Sequence, residues 1–242
     1  MATTRLSLVL AHVPLFSGLA PRELDALSQA LRPRHYAKGD LIFQQGDPGD
    51  AFYVIESGEV KIVLTSADGR EAILAILGPG HFFGELSLLD GEPRSADVLA
   101  KEDCTLLLLH RSDFRPFLHN HPDAAEALLA VLSRRLRATD DIVHDAAFLD
   151  VAARLARLLL KLAEAHGRQE EGGSTVLGIR LTQEDLAAMV GSTRETVNKW
   201  LKSWERGGLI SNRGGILTIT NARELQKSTH LVGEVGVETS VS

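Results

Sequence analysis

Hydrophobic spacing changes abruptly along this chain. From Arg34 to about Leu109, short β-type runs (LIFQ, AFYVIE, EVKIVLT, EAILAIL, SADVLA and CTLLLLH) alternate with turns at Lys38-Gly39-Asp40, Gly46-Asp47-Pro48-Gly49, Ala67-Asp68-Gly69 and Gly78-Pro79-Gly80. Glycine, proline and aspartate favour the backbone conformations that end strands, so short strands at this regular spacing predict an all-β barrel or jelly roll. From Pro122 to about Phe148 the period is helical instead. Leu128, Leu132, Thr139, Ile142, Ala146 and Leu149 share one stripe, and a second register runs through Leu129, Leu136 and Val143. Such a stripe is a seam of coiled-coil type, long enough to pair in parallel with a second copy. Arg135 within the seam, and the stripe's breadth, keep open a helix packed on its own domain.

On either side the chain reads as helical. PLFSGLAPRELDALSQAL suggests a short amphipathic pair with Leu24, Leu27 and Leu31 at helical spacing, and DVAARLARLLLKLAEAHG a further helix stopped by Gly167. RQEEGGST reads as a polar loop. Residues 181–206 hold two helices separated by Gly191, and 207–220 a small hairpin turned at Gly214-Gly215. From about Thr229 no periodicity remains and a disordered tail is expected.

Composition excludes several classes. A chain of 242 residues with 44% apolar and 24% charged side chains suits two modest soluble domains. No window approaches the ~18 continuous apolar residues of a membrane span, and MATTRLSLVLAHVPLF lacks a charged n-region with a small-residue cleavage site. The expectation is a cytoplasmic protein with no membrane partner. A single cysteine, Cys104, rules out an internal disulfide framework, a zinc finger and a cysteine-ligated iron–sulfur cluster. Its place in the run CTLLLL predicts a buried thiol. The net charge of −6 is unevenly spread, with 11 basic against 16 acidic side chains over residues 1–120. Between Arg180 and Arg213 the balance reverses: Arg180, Arg194, Lys199, Lys202, Arg206 and Arg213 face Glu184, Asp185, Glu195 and Glu205. A locally basic face on an acidic chain is what phosphate attraction requires.

Two segments carry chemistry. In Phe83-Gly84-Glu85-Leu86-Ser87-Leu88-Leu89, followed by Pro93-Arg94-Ser95-Ala96, a glycine permits close backbone approach and a short helix after it offers amide groups to an anion. Arg94 can present its fork to phosphate oxygens and Ser95 a hydroxyl donor. Glu85, an acceptor when ionised, suits a sugar hydroxyl. Each piece alone is a common surface feature, and an Arg–Glu ion pair is the competing reading. In the second segment, Thr182-Gln183-Glu184-Asp185 opens a helix with a threonine cap and an acid three residues on. Gly191 makes the turn, and Ser192-Thr193-Arg194-Glu195 starts a second helix with Val197, Leu201 and Trp204 inward. Arg194, Glu195, Asn198, Lys199 and Lys202 then face outward, a helix-turn-helix signature with base-capable side chains. Glu195 has a competing reading as capping partner of Ser192, and Trp200 and Trp204 are read as core anchors.

FGELSLL followed by PRSA resembles the phosphate-binding cassette of cyclic-nucleotide-binding domains, and the chain from about Val13 to Thr220 resembles the CRP/FNR family of bacterial regulators, nearest its catabolite activator branch. LTQEDLAAMVGSTRETVNKWLKSWERGGLIS is similar to that family's DNA reader almost throughout. The resemblance implies an α+β chain: a jelly-roll (β-roll) cyclic-nucleotide-binding domain over 1–120, a dimerisation helix over 121–148, a winged helix-turn-helix over 149–228 and a tail over 229–242. It implies that Arg94 and Ser95 bind the cyclic phosphate, Glu85 the ribose 2′-hydroxyl, Gly84 and Leu86 supply backbone contacts, and Ile62 and Leu74 form apolar walls. Thr139 falls where cAMP-responsive members contact the adenine amino group; Asp140 departs from the small hydroxyl residue often found there. Arg194, Glu195 and Lys199 would read a TGTGA-like half-site, Lys199 replacing an arginine, with Thr182, Gln183, Ser192 and Thr193 beside them and the hairpin at 216–219 as wing. Leu128, Leu132, Leu136, Thr139, Ile142, Val143 and Ala146 would form the homodimer interface, and double-stranded DNA and RNA polymerase would be partners.

The effector implied is a cyclic nucleotide, cAMP first, with cGMP, a cyclic dinucleotide or another effector as alternatives and no tightly bound cofactor or metal. A haem reading rests only on His81, ahead of the cassette. A sensor subunit regulating an enzyme would not need the complete helix-turn-helix. A cyclic-nucleotide hydrolase would need a metal cluster or nucleophile–base pair, and neither is found in the sequence, so no catalytic residues are expected.

Overall fold

The computed structural model describes residues 5–170 and 173–230, and the chain divides into two units, Met1–Ala138 and Thr139–Ser242. In the first, α1 (Arg5–Ala11), a 3-10 turn at Pro14–Phe16 and α2 (Pro21–Ala30) precede eight strands: β1 (Arg32–Tyr36), β2 (Leu41–Phe43), β3 (Ala51–Ser57), β4 (Val60–Thr65), β5 (Glu71–Leu77), β6 (Phe82–Phe83), β7 (Asp97–Ala100) and β8 (Cys104–His110). Helix α3 (Leu86–Asp90) lies between β6 and β7, α4 (Arg111–Asn120) follows β8, and α5 (Pro122–Phe148) runs across the division.

The strands form two antiparallel sheets, β1-β8-β3-β6 and β2-β7-β4-β5. The near-continuous apolar runs of β3 and β8 follow from burial on both faces, where strict alternation would be wasted. Along β3, Ala51, Tyr53 and Ile55 join the cluster that also holds Phe83, Val98, Ala100 and Leu106, whereas Phe52 and Val54 face a second cluster with the helices. There Phe52 stacks on Phe114 at 4.7 Å, and Phe16 meets Phe52 and Phe117 edge-on. Cys104 is buried, and desolvation pushes its thiol pKa up.

The second unit holds α6 (Val151–His166), β9 (Gly167–Gln169), β10 (Thr175–Leu177), α7 (Gln183–Val190), α8 (Arg194–Arg206), β11 (Ile210–Arg213), β12 (Ile216–Ile219) and α9 (Ala222–Lys227), with one sheet in the order β11-β12-β10-β9. Its core collects Leu155, Leu159, Leu186, Val197, Leu201, Trp204, Ile219 and Leu225. Asp150 caps α6 by accepting from the Ala153 amide at 2.8 Å. The last turns of α5 meet α6 through Asp145–Arg157 at 2.6 Å and Asp141–Lys161 at 2.8 Å, and the Lys161 hydrogen bond holds the Asp141 carboxyl below the usual carboxylate range.

The α+β class and the jelly roll agree with the sequence reading; three local elements do not. Strand β1, RPRHY, is an exposed edge strand carrying Pro33, so it lacks the apolar alternation by which strands are recognised. The polar stretch after Gly167 is read as loop, yet its flanks pair as β9 and β10 because β12 supplies the neighbouring ladder. Leu31, grouped with a helical stripe, is the extended C-cap of α2. Of the expected tail, Ser228–His230 form a 3-10 turn and 231–242 lie outside the described residues. Among the described residues no helix is long and apolar enough to cross a membrane.

Leu128 corrects the expected dimer seam. It is 3% exposed in the single chain, inside the first unit's helix-side core, with Leu132 packed against the same cluster. A side chain already buried has no surface left for a second copy. Leu129, Leu136 and Val143 are each 63% exposed. Leu128→Ala is expected to destabilise the first unit by about 2–5 kcal/mol in urea unfolding at every protein concentration. A loss that depends on concentration would return Leu128 to an interface.

Candidate functional site

The cassette is assembled by a turn folded over a strand entry. The Gly46 amide donates to the Arg94 carbonyl at 2.9 Å and the Arg94 amide to the Asp47 carbonyl at 2.8 Å. Asp97 anchors the same region, accepting from the Gln45 amide at 2.7 Å and the Thr65 hydroxyl at 2.6 Å. Gly84 has φ +82°, and a Cβ there would lie 2.8 Å from Arg94 Nη1 and 3.1 Å from the Ala51 carbonyl. Only glycine fits that backbone and that space.

Arg94 is 4% exposed. Its Nη1 and Nη2 donate to the carbonyls of Gly84 and Ala51, each at 2.8 Å, and its guanidinium carbon lies 4.1 Å from the centre of the Phe43 ring. Desolvation draws its pKa below the ordinary arginine value, opposed by Tyr53 and by the carboxylates Asp50, Glu85 and Asp47. Glu85 is 2% exposed and pairs through Oε1 with Arg135 Nη1 of α5 at 2.7 Å. Arg135 also donates to the Phe82 carbonyl and lies over the Phe82 ring. Arg94 Nε and Glu85 Oε2 are buried without a hydrogen-bond partner.

The competing Arg–Glu ion pair thus exists, but Glu85 makes it with Arg135. Leu86 and Ser95 are exposed, and Ile62 and Leu74 half-buried. The register of β4 on β5 shifts between Ile62 and Val63, placing Leu74 as the extra residue of a bulge. Thr139 and Asp140 are exposed on the part of α5 that belongs to the second unit. His81 is exposed, its Nδ1 3.2 Å from the Gly78 carbonyl. Among the described residues no cluster of metal-ligating side chains occurs.

Three contributors escaped sequence reading. Arg135 was visible only as a charge interrupting an apolar seam, which was the signal that its stripe faces a carboxylate. Arg111, at the head of α4, donates to the carbonyls of Gly49 at 3.0 Å and Ser87 at 2.5 Å, tying the turn to α3. A Cβ on Gly49 would sit 2.4 Å from Ser87 Cβ and 3.0 Å from Arg94 Cζ.

In the second unit Thr182 caps α7, and Asp185 returns the bond to the Thr182 amide at 2.9 Å. Gly191 ends α7 at φ +62°. The N-cap of α8 is Thr193, accepting from Thr196, so Glu195 is not the capping partner of Ser192; one residue of register separates the two readings. Arg194, Glu195, Lys199 and Lys202 are exposed, and Arg194 lies 3.2 Å from Glu184. Asn198, expected outward, is half-buried and accepts from Gln183 at 3.2 Å. Trp204 is buried, with Trp200 against the same core. Gly214 and Gly215, at φ +61° and +81°, turn the β11–β12 hairpin in the two-residue geometry that glycines allow.

Residues 33–121 match the cyclic nucleotide-binding domain family and 153–228 the Crp-like helix-turn-helix domain. The CRP-like cAMP-activated global transcriptional regulator of Mycobacterium tuberculosis is 39% identical over 219 residues, covering 90% of this chain and 97% of that protein. The cyclic AMP receptor protein of Thermus thermophilus is 39% identical over 214 residues, 88% of this chain and 95% of that one. The solved structure of the c-di-GMP responsive global regulator CLP of Xanthomonas campestris is similar with TM-score 0.68 and 27% identity, over 79% of this chain and 94% of that one. A nucleotide-binding β-roll and a helix-turn-helix in one chain define a DNA-binding transcription regulator. The chain belongs to the CRP/FNR family.

Gly49→Ala is expected to cost about 1–3 kcal/mol, the range for overpacking a filled site, in thermal unfolding. An unchanged midpoint would mean that the turn shifts freely away from Ser87 and Arg94.

Proposed function

We propose that this regulator is controlled allosterically by a cyclic nucleotide, cAMP first, and that it binds a palindromic TGTGA-like operator as a dimer in the cytoplasm. One observation carries the ligand half. Among the described residues three buried side-chain polar atoms lack a partner, and two of them, Arg94 Nε and Glu85 Oε2, lie in the cassette. An unmet buried donor or acceptor costs about 1–3 kcal/mol, which a ligand with a phosphate at one end and a hydroxyl at the other would relieve. In this reading Arg94 and Ser95 hold the cyclic phosphate, Glu85 the ribose 2′-hydroxyl, Gly84 and Leu86 give backbone contacts, Ile62 and Leu74 line the walls, and Thr139 and Asp140 meet the base. The names of the Mycobacterium and Thermus relatives favour cAMP. The CLP likeness supports a cyclic dinucleotide as the second reading.

The dimer would close along α5 through Leu129, Leu136 and Val143, three exposed apolar side chains at seven-residue steps. Leu132, Thr139, Ile142 and Ala146 would lie beside them. The functional division is a sensor over 1–120, the pairing helix over 121–148 and the reader over 149–228. In the reader, Arg194, Glu195 and Lys199 contact bases, Thr182, Gln183, Ser192 and Thr193 contact DNA around them, and the β11–β12 hairpin is the wing. RNA polymerase is the further partner. A nucleotide that binds more tightly to one arrangement of the dimer shifts the population toward it, and DNA favours the arrangement that spaces two recognition helices by about 34 Å, one helical turn. Each ligand then strengthens the other's binding by the same factor.

Calorimetry against cAMP, cGMP and cyclic dinucleotides tests the effector. Arg94→Ala should weaken the bound nucleotide by roughly 10- to 100-fold, the scale of one charged hydrogen-bonded contact; unchanged affinity would remove Arg94 from the site. Arg194→Ala should lower discrimination between operator and scrambled DNA by about 1–3 kcal/mol. Equal loss on both sequences would make Arg194 a phosphate contact instead.

A further inference from the structure

The guanidinium of Arg94 has an edge and a face, and the chain holds both. Two hydrogen bonds, to the carbonyls of Gly84 and Ala51, engage the edge. The face rests on Phe43, whose ring centre is 4.1 Å from the guanidinium carbon, with the Tyr53 ring at 5.8 Å. Phe43 is itself braced, 5.8 Å from Tyr53 and 5.9 Å from Phe83, which stack on each other at 5.1 Å with planes 4° apart. A planar cation held by two hydrogen bonds and one ring keeps a restricted orientation, and Nε is the guanidinium nitrogen left without a protein partner.

We propose that Phe43 is a positioning residue for Arg94: it presets the guanidinium so that Nε and the remaining N–H groups already face the site when the phosphate arrives. An arginine side chain ordered before binding loses less rotamer freedom on binding. The flat aromatic face also attracts the cation, and desolvation strengthens that attraction. An aliphatic side chain of similar size would fill the space without supplying either effect. Phe43 need not touch the nucleotide, and nothing in the FGELSLL or PRSA segments points to it; it stands at the end of β2, about fifty residues upstream.

The inference rests on the proposed phosphate role of Arg94, and the experiment separates the two. Affinity for 3′,5′-cyclic AMP is measured by calorimetry on the full chain, for the wild type, Phe43→Leu, Phe43→Tyr, Arg94→Ala and Phe43→Leu/Arg94→Ala, with thermal unfolding as a folding control. Phe43→Leu is expected to bind about 3- to 30-fold more weakly, Phe43→Tyr to restore binding, and Phe43→Leu to change little when Arg94 is already absent. Equal loss from Phe43→Leu in both backgrounds overturns the inference, because the ring then acts independently of Arg94. Wild-type affinity in Phe43→Leu beside weakened Arg94→Ala overturns the inference alone. Wild-type affinity in Arg94→Ala overturns the phosphate role and the inference with it.

Discussion

A guanidinium enclosed by a β-roll organises the first unit. Such a group is tolerated inside protein only when its N–H groups find acceptors, and at Arg94 two main-chain carbonyls meet part of that demand while an aromatic ring covers the face of the cation. The surroundings follow from this requirement. Gly84 and Gly49 are glycines because a Cβ at either would intrude on Arg94 or its neighbours. Arg111 holds the turn against α3 so that the enclosure stays shut. Two polar atoms there are left unmet, one a donor on a cation and one an acceptor on a carboxylate.

Glu85 extends this arrangement to α5. A buried carboxylate needs a cation, and Arg135 supplies it from the helix that runs on to residue 148. Each unit therefore grips α5 separately: the first through Leu128 and Arg135, the second through the pairs of Asp141 and Asp145 with α6.

The reader is built on the opposite electrostatic logic. The exposed face of α8 carries Arg194, Lys199 and Lys202, on a chain whose first 120 residues have an excess of acid. Arg194 rests against Glu184, but both side chains are well exposed, and such surface pairs contribute little. Both side chains therefore remain open to solvent.

By itself the sequence determined the class of the fold, because strand and helix periods, glycine turns and caps are written in neighbouring residues. The β-roll runs, the bounds of α5, the cap and turn of α7 and the glycine hairpin all carry local chemistry and were legible from it. The cassette's Gly84, Glu85 and Arg94 were legible too, as residue types at a spacing. Tertiary structure decided who meets whom. Glu85 pairs with a residue fifty positions away rather than with the nearby Arg94, Phe43 lies over Arg94 from another strand, and Leu128 faces inward although Leu129 beside it faces water. Edge strand β1 and strands β9 and β10 depend on a partner ladder for their hydrogen bonds. The physical reason is common to all of these: periodicity records which side chains share a face, whereas burial, ion pairing and strand pairing are settled by whatever the folded chain brings against that face.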